Sequence, residues 1–493
     1  MTSQDRQNPS VIVIGTGMTG LQLVIKLRDA GITTITVLEK RDGLGGTWRE
    51  NTYPGVACDV PSHAYTYSFE PNPDWSNYFP SGEEIHNYFT KVFYKYGIDA
   101  CTRFDEAVTH CSYQSGRWTV KTSQGNTYVS DLLFCATGIL HEPAFPDYPG
   151  LDTFEGTMFH TARWDHSVDL KGKRIGVIGV GSTAAQAIPE LIDLDGTDVT
   201  VFQRTPQWMV KVKDRVFSAT DKARFRKHPY RMKIFRELSL LSFRLNTSAI
   251  TGDGIVDRIQ HRILAWIARR NLEKSVWDAD LREKLTPHYK FGCKRVVINE
   301  TFYKAIQKPN AHLITEGIER FEAGGIVTKN GALHGFDVIV LATGFNPAAY
   351  MRPMEFLGKG GLSIEQAWEK KVRAYRSILL PQFPNFFLML GPNSPIGNYS
   401  VIEMAEKQTD YAIGLIKKWQ SGDLPTIEVK PEGLEGWSAL LKANMGKTAW
   451  ASGCQSWYLD GDGDPLSWPD SWNKWVAMME TPDSHNFVLS KSD

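Results

Sequence analysis

Val11-Ile12-Val13-Ile14-Gly15-Thr16-Gly17-Met18-Thr19-Gly20 is the stretch from which the fold is read. Four apolar residues of strand type run into a Gly-x-Gly-x-x-Gly turn, after which Leu21, Val24, Ile25 and Leu27 recur at helical spacing as far as Gly31. The three glycines have different tasks in such a unit. Gly15 permits the tight turn, Gly17 lets a pyrophosphate approach the backbone, and Gly20 lets helix pack on strand, so that the helix N-terminus faces phosphate charge. A second strand, Ile35 to Leu38, ends at Glu39, where a carboxylate takes ribose hydroxyls and repels a 2'-phosphate. The glycine pattern alone is weak evidence, but strand, helix and acid in this order make a dinucleotide site suited to FAD or NAD.

The same unit recurs. Arg174 to Ile178 is followed by Gly179-Val180-Gly181-Ser182-Thr183-Ala184, with alanine at the third glycine position, then by a helix through Ala187 and Leu191. Its next strand, Val199 to Phe202, ends in Gln203-Arg204-Thr205, which sets a guanidinium where the first unit has a carboxylate; arginine there reads as a 2'-phosphate clamp. The strand ends therefore assign the cofactors by charge. FAD goes to Gly15, Gly17, Gly20 and Glu39, and NADPH to Gly179, Gly181, Ser182, Thr183, Arg204 and Thr205. Each half also closes alike, on Asp131-Leu132-Leu133-Phe134-Cys135-Ala136-Thr137-Gly138 and on Asp337-Val338-Ile339-Val340-Leu341-Ala342-Thr343-Gly344.

The fold class that follows is α/β, with two Rossmann-like dinucleotide-binding domains. Between Lys211 and Phe291 charged and apolar residues alternate at helical spacing, as in Ile259, Ile263, Leu264, Ile267 and Ala268, which marks a helical insertion in the second domain. Beyond Asn346 no third glycine motif occurs, so the chain is expected to return to the first domain, with a buried strand from Phe383 to Gly391 and a helix from about Val401 to Trp419. The expected partition is 1–141 with 346–493 for FAD, 142–211 with 292–345 for NADPH, and 212–291 for the insertion.

Composition narrows the partners. Among 493 residues acids and bases cancel at 55 each, leaving no excess to neutralise nucleic acid and no polybasic run to hold an anionic membrane. The polar stretch from Met1 to Ser10 lacks the apolar core of a secretory signal, and no apolar run approaches the ~20 residues of a membrane span, so no membrane insertion and a cytoplasmic location are expected. The six cysteines hold no CxxC pair, which argues against a disulfide scaffold, a zinc site and a dithiol redox centre. Asp460-Gly461-Asp462-Gly463-Asp464 imitates the start of a calcium loop, but Pro465 stands where glycine is needed and Ser471 where the closing glutamate belongs. It reads as an acidic turn, and no metal is expected.

Two longer patterns resemble the fingerprints of the type I Baeyer–Villiger monooxygenases, within the class B flavoprotein monooxygenases. One is Phe154-x-Gly156-x-x-x-His160-x-x-x-Trp164-Asp165, between the glycine motifs; the other is Gly45-Gly46-x-Trp48-x-x-x-x-Tyr53-Pro54-Gly55-x-x-x-Asp59. Gly292-Cys293-Lys294-Arg295 is similar to the segment that carries this family's active-site arginine and a lysine directed at the NADPH 2'-phosphate, roles that the resemblance gives to Arg295 and Lys294. The segment Gly453-Cys454-Gln455-Ser456-Trp457-Tyr458 is also similar, without a chemical role attached. The chain departs from the pattern at Asn346, a hinge-like position where aspartate is commoner.

The resemblance implies an NADPH- and O2-dependent enzyme that converts small ketones to esters or lactones through a flavin C4a-peroxide and a Criegee intermediate. Arg295 would stabilise the peroxy anion and the alkoxide without donating the proton that quenches them. Asp59 would orient Arg295, Gly46 and Thr47 would lie beside the FAD pyrophosphate, and Trp48 and Tyr65 along the flavin. His160 and Trp164 would couple domain motion, His160 not serving as a general base. Two other readings stay open: oxygenation of nitrogen or sulfur in soft nucleophiles, against which Asp165 and the Lys294-Arg295 pair weigh, and NADPH-dependent flavin reduction without oxygen insertion. Candidates for the ketone pocket lie in the helical insertion and in Pro392 to Ser400.

Overall fold

Two five-stranded parallel sheets organise the chain, each grown from one glycine unit; the computed structural model describes residues 6–395, 399–454, 456 and 458–489. The first sheet has the order Phe386–Leu388, Leu132–Cys135, Val11–Ile14, Ile35–Leu38, Thr102–Arg103. The second has the order Ala311–Ile314, Asp198–Phe202, Arg174–Ile178, Val338–Leu341, Thr157–His160. Val11–Ile14 and Leu132–Cys135 are buried along their whole length, as a parallel sheet covered on both faces requires.

The two sheets repeat one local plan. Ile14 lies between Leu38 and Cys135, and Ile178 between Phe202 and Leu341, so each glycine turn leaves its sheet between the strand of the charged residue and the Ala-Thr-Gly strand. At the turn itself Gly15 and Gly179 take φ of +105° and +115°. A Cβ on either would press on the carbonyl of Ala136 or Ala342, so only glycine fits both the angle and the space. Gly20 packs against the Gly15 carbonyl with no room for a Cβ, which holds helix to strand as its spacing implied.

After residue 346 the chain does return to the first sheet. Phe386–Leu388 adds to its edge, and the helix Val401–Ser421 packs along the helix Met18–Asp29, where Gln22 donates to the Ala405 carbonyl at 3.2 Å and to Thr409 Oγ1 at 2.7 Å. The strand expected over Phe383 to Gly391 is shorter than its apolar run. Asn385 and Leu390 on either side of it adopt positive φ, which ends the extended backbone.

The insertion consists of the helices Ala219–Lys227, Tyr230–Thr251, Ile255–Ser275 and Ala279–Lys284. Ser218 and Asp221 close the first of these with a reciprocal capping box. The insertion leans on both halves of the molecule. Phe217 and Leu240 join the core of the first sheet, and Arg244 meets Glu403 at 2.6 Å, whereas Leu272 belongs to the core of the second. Among the described residues no helix is long and apolar enough to cross a membrane.

The cysteine reading needs one correction. Cys293 and Cys454, 161 positions apart, form a disulfide with their Cα atoms 6.3 Å apart, while Cys58, Cys101, Cys111 and Cys135 are free. Local spacing is blind to a pair that the tertiary fold brings together, and the cytoplasmic expectation loses the support it drew from that reading.

Candidate functional site

A single cleft of about 1640 Å³ is lined from both glycine units. Gly15, Gly17, Glu39, Gly46, Thr47, Trp48, Asp59 and Tyr65 share its wall with Gly179, Gly181, Ser182, Thr183, Arg204, Thr205, Lys294 and Arg295. Gly20 lies behind the turn, and His160 and Trp164 are not on the wall. The volume exceeds what one drug-sized ligand fills, ~300–1,000 Å³, and suits two large ones.

On the first side the helix Met18–Asp29 starts at Gly17 without a side-chain cap, so its leading N–H groups are available to an anion. Glu39 is buried, its Oε2 accepting from Thr16 N at 2.9 Å and Thr16 Oγ1 at 2.7 Å, and its Oε1 from Arg41 N at 3.0 Å. An ionised carboxylate has about four acceptor sites, so capacity remains for a ribose hydroxyl while the charge rejects a phosphate. Trp48 Nε1 donates to the Tyr65 hydroxyl at 2.9 Å, which fixes the two rings edge to face. Burial raises the Tyr65 phenol well above its ordinary pKa and keeps it protonated.

On the second side the helix Ser182–Ile192 likewise begins at an uncapped Gly181. Arg204 is exposed at the end of its strand with Lys294 close by; burial lowers the Lys294 pKa, and the charge of Arg204 lowers it further. Two cations held against their mutual repulsion form a receptor for an anion, and a 2'-phosphate relieves both. The chemistry of each half thus fits the nucleotide that its strand end implied.

Between the halves stands Arg295. Its Nη2 donates to Asp59 Oδ2 at 2.6 Å, with 31% of the arginine side chain and 21% of the aspartate exposed toward the cleft. The Asp59 charge raises the Arg295 pKa against the opposing effect of burial, so the guanidinium holds its protons harder than usual. Tyr458 sits beside it, its own pKa pushed up to about 12 by burial with Arg295 pulling the other way. Trp450 stacks on Tyr458 at 4.8 Å, and Cys454 ties the same segment to Cys293, two residues before Arg295. The C-terminal motif that carried no role in the sequence therefore packs around Arg295; its Gln455 and Trp457 lie outside the described residues.

The long fingerprint also acquires a physical basis. Tyr53 donates its hydroxyl hydrogen to Gln186 Oε1 at 2.8 Å, and Gln186 Nε2 donates to the Ala57 carbonyl at 2.9 Å. Gly55, at φ +78°, lies where a Cβ would come within 2.7 Å of the Gln186 carbonyl. The loop carrying Asp59 is thereby clipped to the helix of the second unit. Gln186 escaped sequence reasoning because a glutamine in a helix has no motif of its own. Glu50 was missed for the same reason. Burial pushes its carboxyl up, but Arg41 at 2.5 Å and Arg163 at 2.9 Å together bring it below the usual range, joining the two fingerprints.

His160 is buried, its Nδ1 accepting from Ala162 N at 3.0 Å and its ring beside Phe145 and Phe345, one on each strand of chain that passes between the sheets. Burial lowers its pKa to about 4, against the pull of the Gly344 backbone, so it is neutral near pH 7. Trp164 packs edge-on against Phe159 at 4.9 Å. Asp165 caps Ser167, through N at 2.9 Å and Oγ at 2.6 Å, and is not on the cleft wall. Asn346 does the work of an aspartate in its turn, its Oδ1 accepting from Ala348 N at 3.0 Å. In the acidic turn Lys371 sits among Asp460, Asp462 and Asp464.

The pocket expectation is corrected in part. No residue of the 212–291 insertion lines the cleft, because its buried face is spent on the two cores. From the 392–400 loop Tyr399 does line it, next to Leu390 and Val401, while residues 396–398 lie outside the described set.

The sequence profile of the family described as pyridine nucleotide-disulphide oxidoreductase matches residues 12–237. The chain is 42% identical over 471 residues to an uncharacterized monooxygenase of Mycobacterium tuberculosis, across 96% of this chain and 94% of that one. It is 36% identical over 478 residues to a Baeyer–Villiger monooxygenase of Streptomyces coelicolor, across 94% and 90%. Its fold matches the crystal structure of cyclohexanone monooxygenase from Rhodococcus sp. Phi1 bound to NADP+ with a TM-score of 0.82 at 27% identity, over 96% of this chain and 97% of that one.

Proposed function

The chain belongs to the Baeyer–Villiger monooxygenases, FAD- and NADPH-dependent enzymes, and from that premise we propose that it inserts one atom of O2 beside the carbonyl of small ketones, with Arg295 and Asp59 at the reacting centre. The observation that carries the reading is the Arg295–Asp59 ion pair, at 2.6 Å, on the wall of a cleft shared by both glycine units.

Gly15, Gly17, Glu39, Gly46 and Thr47 would hold the FAD dinucleotide, with Trp48 and Tyr65 toward its ring. Gly179, Gly181, Ser182, Thr183, Thr205, Arg204 and Lys294 would hold NADPH. The domains would then be 1–141 with 346–493 and 142–211 with 292–345, His160 and Trp164 coupling their motion through the crossings at Phe145 and Phe345. Once reduced by NADPH, the bound flavin supplies O2 activated as a nucleophile toward a carbonyl.

The chain's own residues then manage charge. Arg295 sets a fixed positive charge against negative oxygen and, with its proton held harder by Asp59, does not surrender that proton to it. Asp59 keeps the guanidinium aimed. The Tyr458 phenol, raised to about 12, stays neutral beside it and adds no competing charge. A neutral, enclosed His160 offers no base to the cleft.

Arg295→Ala separates this reading from a plain flavin reductase. NADPH should bleach the flavin anaerobically in both proteins, since the nucleotide clamps are untouched, while ester or lactone from cyclohexanone or phenylacetone should appear only with the unaltered enzyme. Removing one such charge donor costs ~10²–10³ in turnover. Equal product from the variant overturns the role of Arg295; a sulfoxide from a thioether with no ester from any ketone favours the nitrogen- and sulfur-oxygenating alternative.

A further inference from the structure

The net charge of zero conceals a segregation. From Ala219 to Ser275 the insertion carries thirteen Lys and Arg against five Asp and Glu, a net of +8 in a chain whose whole is neutral. The same helices hold most of the exposed large apolar side chains of the described molecule. On Tyr230–Thr251 these are Ile234, Leu238, Leu241 and Leu245, spaced by four, three and four residues and therefore on one line. On Ile255–Ser275 the line is Ile259, Ile263 and Trp266, the last 58% exposed.

At 100° per residue each line falls on the side of its helix opposite most of the buried positions, Met232, Ser239, Leu240 and Thr247 in one helix and Ala268 and Leu272 in the other. The two helices pack on each other across the short turn at residues 252–254, so both apolar lines belong to the outward side of one hairpin. Arg258, Arg262 and Arg269, all exposed, run down one edge of the second line, and the Arg270 guanidinium lies over the Trp266 ring at 5.4 Å. None of these residues lines the cofactor cleft.

An apolar stripe with aromatic members and an arginine edge is the pattern of a helix that lies in a membrane interface. We propose that this hairpin docks the enzyme on the surface of a bilayer containing anionic phospholipid, without crossing it. The charge decides between this occupant and a second copy of the chain. A two-fold pairing through the same face would bring together two hairpins, each with nine Lys and Arg against four Asp and Glu over 230–275 and so of net +5, whereas an anionic headgroup layer attracts the basic edge while its acyl boundary receives Ile263 and Trp266. The inference stands apart from the ketone reading, since it uses no residue of the cleft.

The test is flotation of the FAD-loaded full-length enzyme with vesicles of phosphatidylcholine alone or with one-third phosphatidylglycerol. The unaltered enzyme should float only with the anionic vesicles and should release in high salt. The triple variant Arg258→Ala, Arg262→Ala, Arg269→Ala should lose on the order of 100-fold in partition. Ile263→Asp with Trp266→Asp should abolish it, and both variants should keep flavin content and NADPH oxidation. Failure of the unaltered enzyme to float with anionic vesicles overturns the proposal, as does undiminished flotation of either variant. A homodimer in light scattering that Ile263→Asp splits, with no vesicle binding, would assign the face to a second copy instead.

Discussion

Replacing Asp59 by asparagine keeps the shape of the side chain and one acceptor for Arg295 but removes the charge. The pair is 2.6 Å apart with 31% and 21% of its side chains exposed, so it is neither a surface bridge nor a sealed one. Exposed pairs contribute ~0–1 kcal/mol and broken buried pairs cost ~3–5 kcal/mol, which puts this perturbation near 2 kcal/mol. If that energy serves to aim the guanidinium during oxygen transfer, turnover to ester falls by about 30-fold. Anaerobic reduction by NADPH should fall by less than about 3-fold, because Arg204 and Lys294 remain. The assay is product formed per NADPH consumed, set beside stopped-flow flavin reduction. In the double variant with Arg295→Ala the loss should be no greater than for Arg295→Ala alone, since a positioning residue has nothing left to position. Wild-type product yield from Asp59→Asn would mean that the Asp59 charge does not aim the guanidinium.

Arg204→Gln should raise KM for NADPH by ~10–100-fold, the worth of one charge-assisted phosphate contact, and leave KM for NADH unchanged in initial-rate measurements. Titration of the denatured, unreduced chain should count four thiols, rising to six after reduction of the Cys293–Cys454 bond. Reduction should lower unfolding free energy by about 2–4 kcal/mol in denaturant melts. His63, enclosed by Phe217, Phe225 and Phe235, has its pKa lowered by burial to about 4. Its contribution is complete above the unfolded value near 6.5 and is lost as pH falls from there toward 4, because the unfolded chain takes the proton first. The unfolding free energy of His63→Leu, from urea melts, should accordingly fall by about 2 kcal/mol less between pH 7 and pH 5 than that of the unaltered protein.

The two dinucleotide units were legible because everything that makes them is local: Gly15 and Gly179 answer to their own φ and to one carbonyl each, and Glu39 and Arg204 sit at strand ends a fixed distance on. The return of the chain to the first sheet was legible from what the tail lacks. Long-range contact was not. Nothing near Cys293 announces Cys454, nothing near Gly55 announces Gln186, and the apolar run from Phe383 gave no warning that Leu390 would turn to positive φ. The helical insertion was recognised by its period, but a period cannot say which way a second apolar stripe points. The line through Ile259 and Ile263 faces outward, not into the cleft. A charge total is likewise silent about where the charges lie, and the net of +8 over 219–275 shows only when the segment is counted by itself.

The most direct test is to supply the FAD-loaded enzyme with NADPH, cyclohexanone and ¹⁸O2 and to weigh the recovered lactone by mass spectrometry. A lactone carrying one heavy oxygen in its ring, formed in proportion to NADPH consumed, is the expected result for ketone oxygenation. NADPH consumption with only hydrogen peroxide released, and no labelled ester or lactone from any ketone offered, would contradict it.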